Sequence, residues 1–530
     1  MLRLLIMRNL ILVLFLATTG FARDAEVVTS DICIYGGTSG GVVAAVQAAR
    51  LGMLVSLAAF DRDIGGMTTG GLGFTDVGNS TSIGGFAREF YERVGRCYNR
   101  KVAFAFEPHV ARAVYDAWLK EEKILPRFDQ RLAAVKRDGS HISEIVMEDG
   151  TVYRAKIFID ATYEGDLMAM AGVSYTLGRE GTNVYDESYN GIRSETPGHQ
   201  FNVAVDPYRV PGNAASGLLP LVQADDGVAP GTGDKRIQAY NYRLCFTQNP
   251  TNRLPHVMPP NFDPAHYELL GRLLDARVAA GHKLDIGSFF NMEPLPNGKM
   301  DINNNGPVST DFIGMNYTYP TNSFQARSAM QRAHMEYIQG LIYYLANSPR
   351  SPEALRAEVK SWGPCKDEWP ESDGYPRTIY VREARRMVSD YVMTQADCQG
   401  RRAAPDPICF GSYNMDSHNA QRVVHYGQVR NEGDVQIQVP KPYPISYRSI
   451  VPRIGECDNL LVTFAVSASH TSFGSIRMEP VFMMISQSAA AAAVQAIDDK
   501  ATVQQVEYAK LAQRLRAGGQ ILVWTADEGR

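Results

Sequence analysis

Two residues near the end of the chain have side chains suited to chemistry on a small molecule. His470 and Arg477 flank a glycine-containing turn that is predicted within the segment 467–480. Histidine exchanges a proton near neutral pH, since its ordinary pKa is about 6.5, whereas arginine carries a permanent charge that binds carboxylates. His470 is therefore a candidate acid or base, and Arg477 a candidate anion-binding residue. A histidine that only hydrogen-bonds its own loop is the alternative.

His418 and Arg385 are the next candidates for a catalytic role. His418 lies in the polar turn 414–419 and could reach the same pocket, or it could stabilise its own loop. Arg385 belongs to an arginine-rich stretch whose spacing predicts a helix over 380–393. One face of this helix could present a cation to an anionic substrate. A solvated face, or pairing with Glu383, would account for the same pattern.

The segment Gly36–Gly41 has the glycine content of a loop that binds a phosphate group. It follows a predicted strand at 31–35 and precedes a predicted helix at 42–50 and a second strand at 54–57. In this context a glycine loop binds a dinucleotide, because the amides at the helix N-terminus face the pyrophosphate. A turn without phosphate in an α/β domain is the alternative.

Two residues depart from this dinucleotide-binding pattern. Thr38 stands where the middle glycine is expected, and Ala59 occupies the position of the acid that binds the ribose. Asp61 is the nearest acid in the same loop, so we expect it to replace Ala59.

A second glycine-rich segment, 64–73, could wrap a phosphate or the edge of a ring with its amides and hydroxyls, or could be a flexible surface turn.

Taken together, these loops and several later segments resemble the FAD-dependent oxidoreductase family, which is distantly similar to glutathione-reductase-type and fumarate-reductase-type flavoproteins. Some relatives are labelled xanthan lyase, and others are grouped with the flavin subunit of heterodisulfide reductase. The resemblance extends over roughly residues 30–524, and its segments are 35–41, 65–73, 106–110, 160–166, 295–299, 301–304, 381–387, 411–418 and 467–480. It implies an α/β fold with a Rossmann-like FAD-binding domain, in which the flavin exchanges the hydride.

The glycine loops and the resemblance together predict the residues that bind FAD. They are Gly36, Gly37, Thr38, Ser39, Gly40, Gly41, Asp61, Arg62, Gly65, Gly66, Met67, Thr68, Gly70, Gly71, Ala161, Thr162, Gly165, Asp166, Gly474, Arg477, Met478 and Glu479. The resemblance also implies that His470 and Arg477 lie near the isoalloxazine ring. Ser486 and Ala490 stand where relatives usually have glycines, which leaves less room for the cofactor.

A length of 530 residues predicts more than one structural lobe. We predict an inserted, loop-rich α+β lobe for the substrate or a cap between the two parts of the FAD-binding domain. The predicted boundaries are 28–180 for the first part, 181–440 for the inserted lobe, 441–500 for the closing part and 501–530 for a C-terminal helix and tail. Further elements predicted within these boundaries are a β-meander over 131–152, a strand over 460–466 and helices over 106–122, 264–280, 324–346 and 506–515.

The N-terminal residues 1–22 have the layout of a secretory signal peptide. Arg3 and Arg8 precede the apolar run Leu10–Ala17, and small residues follow. The apolar run is short for a membrane span, so we expect export to the periplasm or the exterior and no stable membrane span after cleavage. A retained N-terminal anchor is the alternative.

Cysteine spacing and charge bear on cofactors and partners. The seven cysteines form no CxxC pair, so neither a metal site nor the iron–sulfur clusters of some relatives are expected. Cys398 and Cys409 enclose a short polar loop and could form a disulfide in an oxidising compartment. The net charge of -4 and pI of 6.2 give no reason to expect nucleic-acid binding.

The leading hypothesis is an exported FAD enzyme that oxidises or reduces a small polar molecule, such as a sugar or glycan fragment. The expected partners are this substrate and an electron acceptor that the sequence does not identify. A lyase or hydrolase that uses the flavin scaffold without redox chemistry is one alternative. A binding protein that has lost its cofactor is the other, and Ala59, Ser486 and Ala490 support it.

Overall fold

The computed structural model describes residues 26–193 and 196–525 of the chain. The predicted signal peptide, 1–22, lies outside the described residues. The strands are β1 Val27–Tyr35, β2 Val55–Ala58, β3 Leu132–Asp138, β4 His141–Met147, β5 Val152–Asp160, β6 Tyr175–Thr176, β7 Tyr208–Val210, β8 Asn213–Leu218, β9 Leu244–Thr247, β10 Phe290–Leu295, β11 Lys299–Asn304, β12 Gly363–Pro364, β13 Arg386–Met387, β14 Pro407–Gly411, β15 Met415–Ser417, β16 Gln421–His425, β17 Gln428–Glu432, β18 Val435–Ile437, β19 Tyr443–Ser446 and β20 Leu460–Val462.

The α-helices lie between and after these strands. They are α1 Ser39–Arg50, α2 Gly85–Cys97, α3 Pro108–Glu121, α4 Asp166–Met170, α5 Thr182–Tyr185, α6 Glu268–Ala279, α7 Phe324–Asn347, α8 Glu353–Ser361, α9 Gln395–Cys398, α10 His470–Ile476, α11 Glu479–Asp499 and α12 Tyr508–Ala517. The predicted helices that correspond to α1, α3, α6, α7 and α12 are confirmed, with small shifts of their ends.

A six-stranded sheet positions both glycine loops. Its order is β2-β1-β5-β4-β3, and β20 pairs with the C-terminal part of β5. β1 runs parallel to β2 and β5, and β20 runs parallel to β5, whereas β3 and β4 form the predicted antiparallel meander. The turns that leave β1, β2, β5 and β20 therefore meet at one edge, which is where α/β sheets bind ligands.

α11 forms the centre of the core beside this sheet. The helix packs along α1, and its residues from Glu479 to Ala496 are buried. The alanine-rich composition suits this close packing, since alanine both favours helix and lets helices approach. Within the described residues, α11 is the one helix that is long and apolar enough to cross a membrane, and nearly all of it is buried inside the protein.

The inserted region is built from short sheets and the helices α5 to α9. A four-stranded antiparallel sheet has the order β10-β11-β9-β12. The helices α6, α7 and α8 accompany it, and the strand pairs β7-β8, β15-β18 and β16-β17 complete the region. The fold is thus α/β with helices and mixed sheets, as predicted, whereas the exact lobe boundaries stay a prediction.

The structure corrects the prediction of a helix over 380–393. The only regular element there is the short strand β13, and the backbone N–H groups of Tyr380, Met387 and Val388 donate to Asn241, Ala465 and Ser174 respectively. Because these amides bond to three distant segments, an i to i−4 helical ladder cannot form. The arginine spacing therefore reflects buried tertiary pairing and not one face of a helix.

Two further predictions are corrected. The predicted turn between His470 and Arg477 is the helix α10, which Ser469 caps by accepting a hydrogen bond from the amide of Ser472. Cys398 and Cys409 are free thiols, and Cys398 instead contacts the Ser472 hydroxyl at 3.3 Å.

Candidate functional site

The first glycine loop is tied to the exit of β5 by Thr38. Its hydroxyl accepts a hydrogen bond from the amide of Gly41 and donates one to the carbonyl of Ala161 at 2.8 Å. Thr38 is thus the N-cap of α1 as well as a cross-link between two strand ends. A threonine in place of the expected middle glycine therefore has a structural function here.

Gly41 is required by the close approach of α1 to the turn before it. A Cβ atom at this position would lie 2.0 Å from the carbonyl oxygen of Gly36. This is the close helix–strand packing predicted for the last glycine of the loop. Ser486, which we expected to crowd a cofactor, lies instead beside Gly40 where α11 packs on α1.

A cavity opens at the edge of the sheet, beside both glycine loops. We call it the first cavity, and it is lined by Gly37, Thr38, Asp61, Gly66, Tyr163 and Glu164, together with residues of 319–331 and 377–381. Thr38 precedes the first amides of α1, so the positive end of this helix lies at the cavity wall. The cavity therefore combines features that favour a phosphate-containing ligand.

Three carboxyl groups surround this end of the sheet and resist ionisation. Burial, with a smaller effect from the charge of Asp63, raises the pKa of Asp61 to about 7. Burial also raises the pKa of Glu479 to about 7 and shifts that of Glu164 upward. One carboxyl oxygen of Glu164 has no hydrogen-bond partner among the described residues. An added ligand with hydroxyl groups would satisfy such an acceptor.

Glu479 joins the closing helix to the first glycine loop. Its carboxyl oxygens accept hydrogen bonds from the hydroxyls of Ser39 and of Tyr163, the latter at 2.6 Å. The hydroxyl of Tyr163 in turn accepts a bond from the amide of Met67 at 2.9 Å. Residues from both ends of the chain, predicted to meet at one site, are therefore brought together.

The predicted replacement of Ala59 by Asp61 agrees with their positions. Ala59 is fully buried, whereas Asp61 is half-buried and lines the first cavity. One oxygen of Asp61 accepts a hydrogen bond from the amide of Asp63, and the other accepts none from the described residues, so it can face a ligand. Arg62 also lines this cavity and forms an exposed ion pair with Asp129.

The remaining predicted cofactor residues divide between two places. Thr68 hydrogen-bonds within its own loop, to the carbonyl of Gly65, and Thr162 caps the β5 exit through Asp160. Asp166 at the start of α4 pairs with Arg327 and Arg385. By contrast, Gly474, Arg477 and Met478 are buried, Gly474 packs on the backbone of Asp416, and Arg477 forms an ion pair with Asp416.

A second cavity lies further along the segment 65–77. It has a volume of about 470 Å³, and its polar lining includes Thr75, Asp76, Arg243, Asn291, Asn303 and Tyr413. Gly71 fixes the course of the segment, because its φ is +120° and a Cβ atom there would lie 2.0 Å from the carbonyl oxygen of Arg243. One glycine-rich segment thus contributes Gly66 to the first cavity and Asp76 to the second.

The two predicted catalytic histidines are buried and line neither of these cavities. His470 contacts a carboxyl oxygen of Glu383 at 2.7 Å through Nδ1 and the hydroxyl of Ser417 at 3.0 Å through Nε2. His418 contacts Asp311 at 2.7 Å, and burial lowers its pKa to about 4. The neutral, enclosed imidazole of His418 is therefore poorly placed to exchange protons with a substrate.

The serine, histidine and carboxylate around His470 have the hydrogen-bond order of a nucleophilic triad. The Ser417 side chain is buried, however, and lines neither cavity. Arg385 is likewise enclosed and donates to Asp166 and to the carbonyl of Glu164. The catalytic roles of His470, His418 and Arg385 therefore stay predictions.

One group of side chains has the geometry of a metal site but already holds a cation. Ligand atoms of Glu107, His109 and Glu368 lie within 4.8 Å of one another. The ammonium group of Lys299 lies 2.8 Å from a carboxylate oxygen of each glutamate. This buried charge occupies the position that a metal ion would need.

Sequence reasoning missed Thr75, Asp76, Arg243 and Asn291 of the second cavity and much of the first. Tyr163, Glu164 and Tyr413 lie inside segments that carried the family resemblance, so their neighbours gave a usable signal. Arg243 had none, because it lies in an irregular part of the inserted region. Asp301 accepts a hydrogen bond from the amide of Phe74 and pairs with Arg243.

Comparison with known proteins supports the cofactor that these loops suggest. The family model described as FAD dependent oxidoreductase matches residues 31–515. No curated protein matches the chain. Similar solved structures include a flavin monooxygenase mutant from Stenotrophomonas maltophilia, at 14% identity and a TM-score of 0.19, over 29% of this chain and 42% of that one. A 3-ketosteroid-delta4-(5alpha)-dehydrogenase from Rhodococcus jostii RHA1 matches at 15% identity and a TM-score of 0.20, over 30% of this chain and 50% of that one. The matches thus span half or less of these chains.

Proposed function

Because this chain belongs to the FAD dependent oxidoreductase family, we propose that it is an exported enzyme that transfers a hydride between FAD and a small polar substrate. The observation that carries the proposal is the course of segment 65–77, which lines the first cavity at Gly66 and the second at Asp76. A cofactor in the first cavity and a substrate in the second would approach each other along this segment. The export part rests on the layout of residues 1–22.

The residues of the first cavity fit FAD. The N-terminus of α1 supplies amides for a pyrophosphate, and the close contact of Gly41 with Gly36 keeps that helix against the sheet. Asp61 offers a carboxyl oxygen to a ribose, and Glu164 has an unpaired oxygen in the same cavity. When bound, FAD supplies hydride chemistry. The protein positions the reactants and handles protons.

The second cavity suits a polar molecule such as a sugar or a glycan fragment. Asn291, Asn303 and Tyr413 offer amide and hydroxyl groups, and Arg243 is neutralised by a bidentate ion pair with Asp301 at 2.8 and 2.7 Å. Such neutral and charge-compensated groups can form hydrogen bonds with hydroxyl groups, and they do not require a charged ligand.

The visible spectrum of the purified mature protein, followed by anaerobic addition of a panel of sugars, tests this function. We expect bound FAD whose absorbance bleaches with at least one sugar. Bound FAD that no donor bleaches would favour a lyase or hydrolase. Protein that contains no FAD and shows no saturable FAD binding would contradict the whole proposal.

We predict that Asp61→Ala weakens FAD binding by about 1–3 kcal/mol, the usual effect of losing a hydrogen bond to a charged group. Asp61 lines the first cavity, and the buried Ala59 offers no acceptor in its place. Fluorescence titration of the apoprotein with FAD gives the dissociation constant. Asp138→Ala, which removes an exposed carboxylate from β3, is the matched control. Equal dissociation constants for the Asp61 variant and the wild type would refute the assignment.

We also predict that FAD binds more tightly as the pH falls from 8 to 6. Burial raises the pKa of Glu479, which bonds to Ser39 at the start of α1, to about 7. The negative pyrophosphate would raise the pKa of Glu479 further, so binding takes up a proton and is favoured at lower pH. Titrations at pH 6, 7 and 8 measure the effect, and Glu479→Gln should reduce it. An affinity that increases with pH would contradict this prediction.

A further inference from the structure

We propose that the second cavity binds the substrate as a polyol without an anionic group, and that Asp76 accepts the proton of the hydroxyl group that is oxidised. The proposal rests on the proposed function in one respect, namely that FAD is the oxidant. It goes further by naming the substrate class and a catalytic base that does not lie among the histidines and arginines suggested by the sequence.

Asp76 has the position required of a base. It is half-buried, it lines the second cavity, and it follows directly on the glycine-rich segment that lines the first. Its carboxylate accepts a hydrogen bond from the hydroxyl of Tyr413 at 3.2 Å. Its second oxygen accepts no hydrogen bond from the described residues, so a substrate hydroxyl can donate to it.

The arginines near Asp76 form ion pairs with other carboxylates and not with Asp76. Arg243 pairs with Asp301 at 2.7 Å, and Arg477 pairs with Asp416 at 2.8 Å. No ion pair within 4.0 Å involves Asp76 in the part of the chain that the structure describes. Burial raises the pKa of Asp76, and Asp416 adds to this effect, whereas Arg243, Arg477 and the hydrogen bond from Tyr413 oppose it. The pKa therefore moves toward neutrality, where a carboxylate is an effective base.

The charge of the cavity disfavours an anionic ligand. Because both neighbouring arginines are compensated, Asp76 and the cavity residue Glu293 leave an excess of negative charge. A carboxylate or phosphate on the substrate would meet this excess and be repelled. The hydroxyl of Thr75 and the amides of Asn291 and Asn303 line the same cavity. These groups match the alternating donors and acceptors of a polyol.

Oxidation of a secondary alcohol to a ketone breaks the O–H and C–H bonds and forms the second C–O bond. The hydroxyl proton would pass to the carboxylate of Asp76, which becomes a neutral acid. FAD, when bound, would supply the two-electron oxidant that accepts the carbon-bound hydrogen as a hydride. Tyr413 positions the carboxylate through its hydrogen bond.

Calorimetry with the FAD-loaded protein tests the substrate class. The ligands are glucose, galactose and mannose, each compared with its uronic acid, so that charge changes on a constant ring. We expect at least one neutral hexose to bind and its uronate to bind at least about tenfold more weakly. Binding of a uronate that equals or exceeds that of its hexose, or no binding of any hexose, would overturn the assignment of the cavity.

The variant Asp76→Asn tests the base. We expect it to keep FAD and to bind the same hexose within about threefold, but to slow anaerobic bleaching of the flavin by about 10²–10⁴-fold, the range for losing an acid–base group. The wild-type rate should rise with pH as Asp76 ionises, and the rate of the variant should not. Asp138→Asn, which changes an exposed carboxylate on β3, is the control for general effects.

Bleaching by Asp76→Asn at the wild-type rate would overturn the assignment of the base. The FAD absorbance of each sample distinguishes a failure of the proposed function from a failure of the roles assigned to Asp76 and the second cavity. Protein without FAD contradicts the proposed function itself, whereas a loaded protein that fails these tests contradicts only the roles of Asp76 and of the second cavity.

Discussion

The substitution Gly41→Ala is expected to weaken FAD binding by at least about 100-fold, which corresponds to an overpacking penalty of about 3 kcal/mol. The added Cβ atom would lie 2.0 Å from the carbonyl oxygen and 3.1 Å from the carbonyl carbon of Gly36. Both are backbone atoms, so no change of rotamer relieves the collision. Either α1 moves away from the sheet or the turn before it opens. Each movement displaces the helix amides that face the first cavity.

Fluorescence titration with FAD and circular dichroism together measure this effect and show whether the variant folds. Gly287→Ala is the matched control, because the nearest atom to its added Cβ would be an Asp285 carboxyl oxygen at an ordinary contact distance of 3.5 Å. The control should bind FAD like the wild type. Wild-type affinity in the Gly41 variant would show that α1 does not need this close approach.

The substitution His470→Ala is expected to lower the free energy of unfolding by about 3–5 kcal/mol, as found when one partner of a buried ion pair is removed. The side chains of His470 and Glu383 are about 1% and 0% exposed. Although burial by itself would raise the pKa of Glu383, the charges of His470 and Arg386 lower it below its usual range. Removing the imidazole leaves this charge less compensated and the Ser417 hydroxyl without its partner.

Urea unfolding, followed by circular dichroism and by flavin release, measures the loss. His141→Ala is the control, since His141 is half-exposed in its contact with Asp458 and exposed pairs contribute about 0–1 kcal/mol. A His470 variant that unfolds like the wild type but reduces its flavin slowly would support the catalytic role that the sequence suggested. A loss of stability alone would show that the residue holds α10 against β15.

The amino-acid sequence by itself determined the part of the site that is local. The strand β1, the loop Gly36–Gly41 and the helix α1 follow one another directly, and each depends on neighbouring residues: apolar side chains for the buried strand, glycines for the turn and alanines for the helix. The same holds for Asp61, which lies in the loop after β2. Motifs of this kind also carry the resemblance to the family.

The contacts between the inserted region and the elements β1, Gly36–Gly41 and α1 depend on tertiary packing. Asp76, Arg243 and Tyr413 come together from three separate segments, and nothing in their local spacing indicates a shared cavity. The stretch 380–393 had the spacing of a helix, yet its amides and arginines have partners in distant strands and loops. A buried charge or amide must find a partner, and in this region those partners are distant in sequence. Local sequence patterns describe only neighbouring residues, so they predicted the glycine loops and not the second cavity.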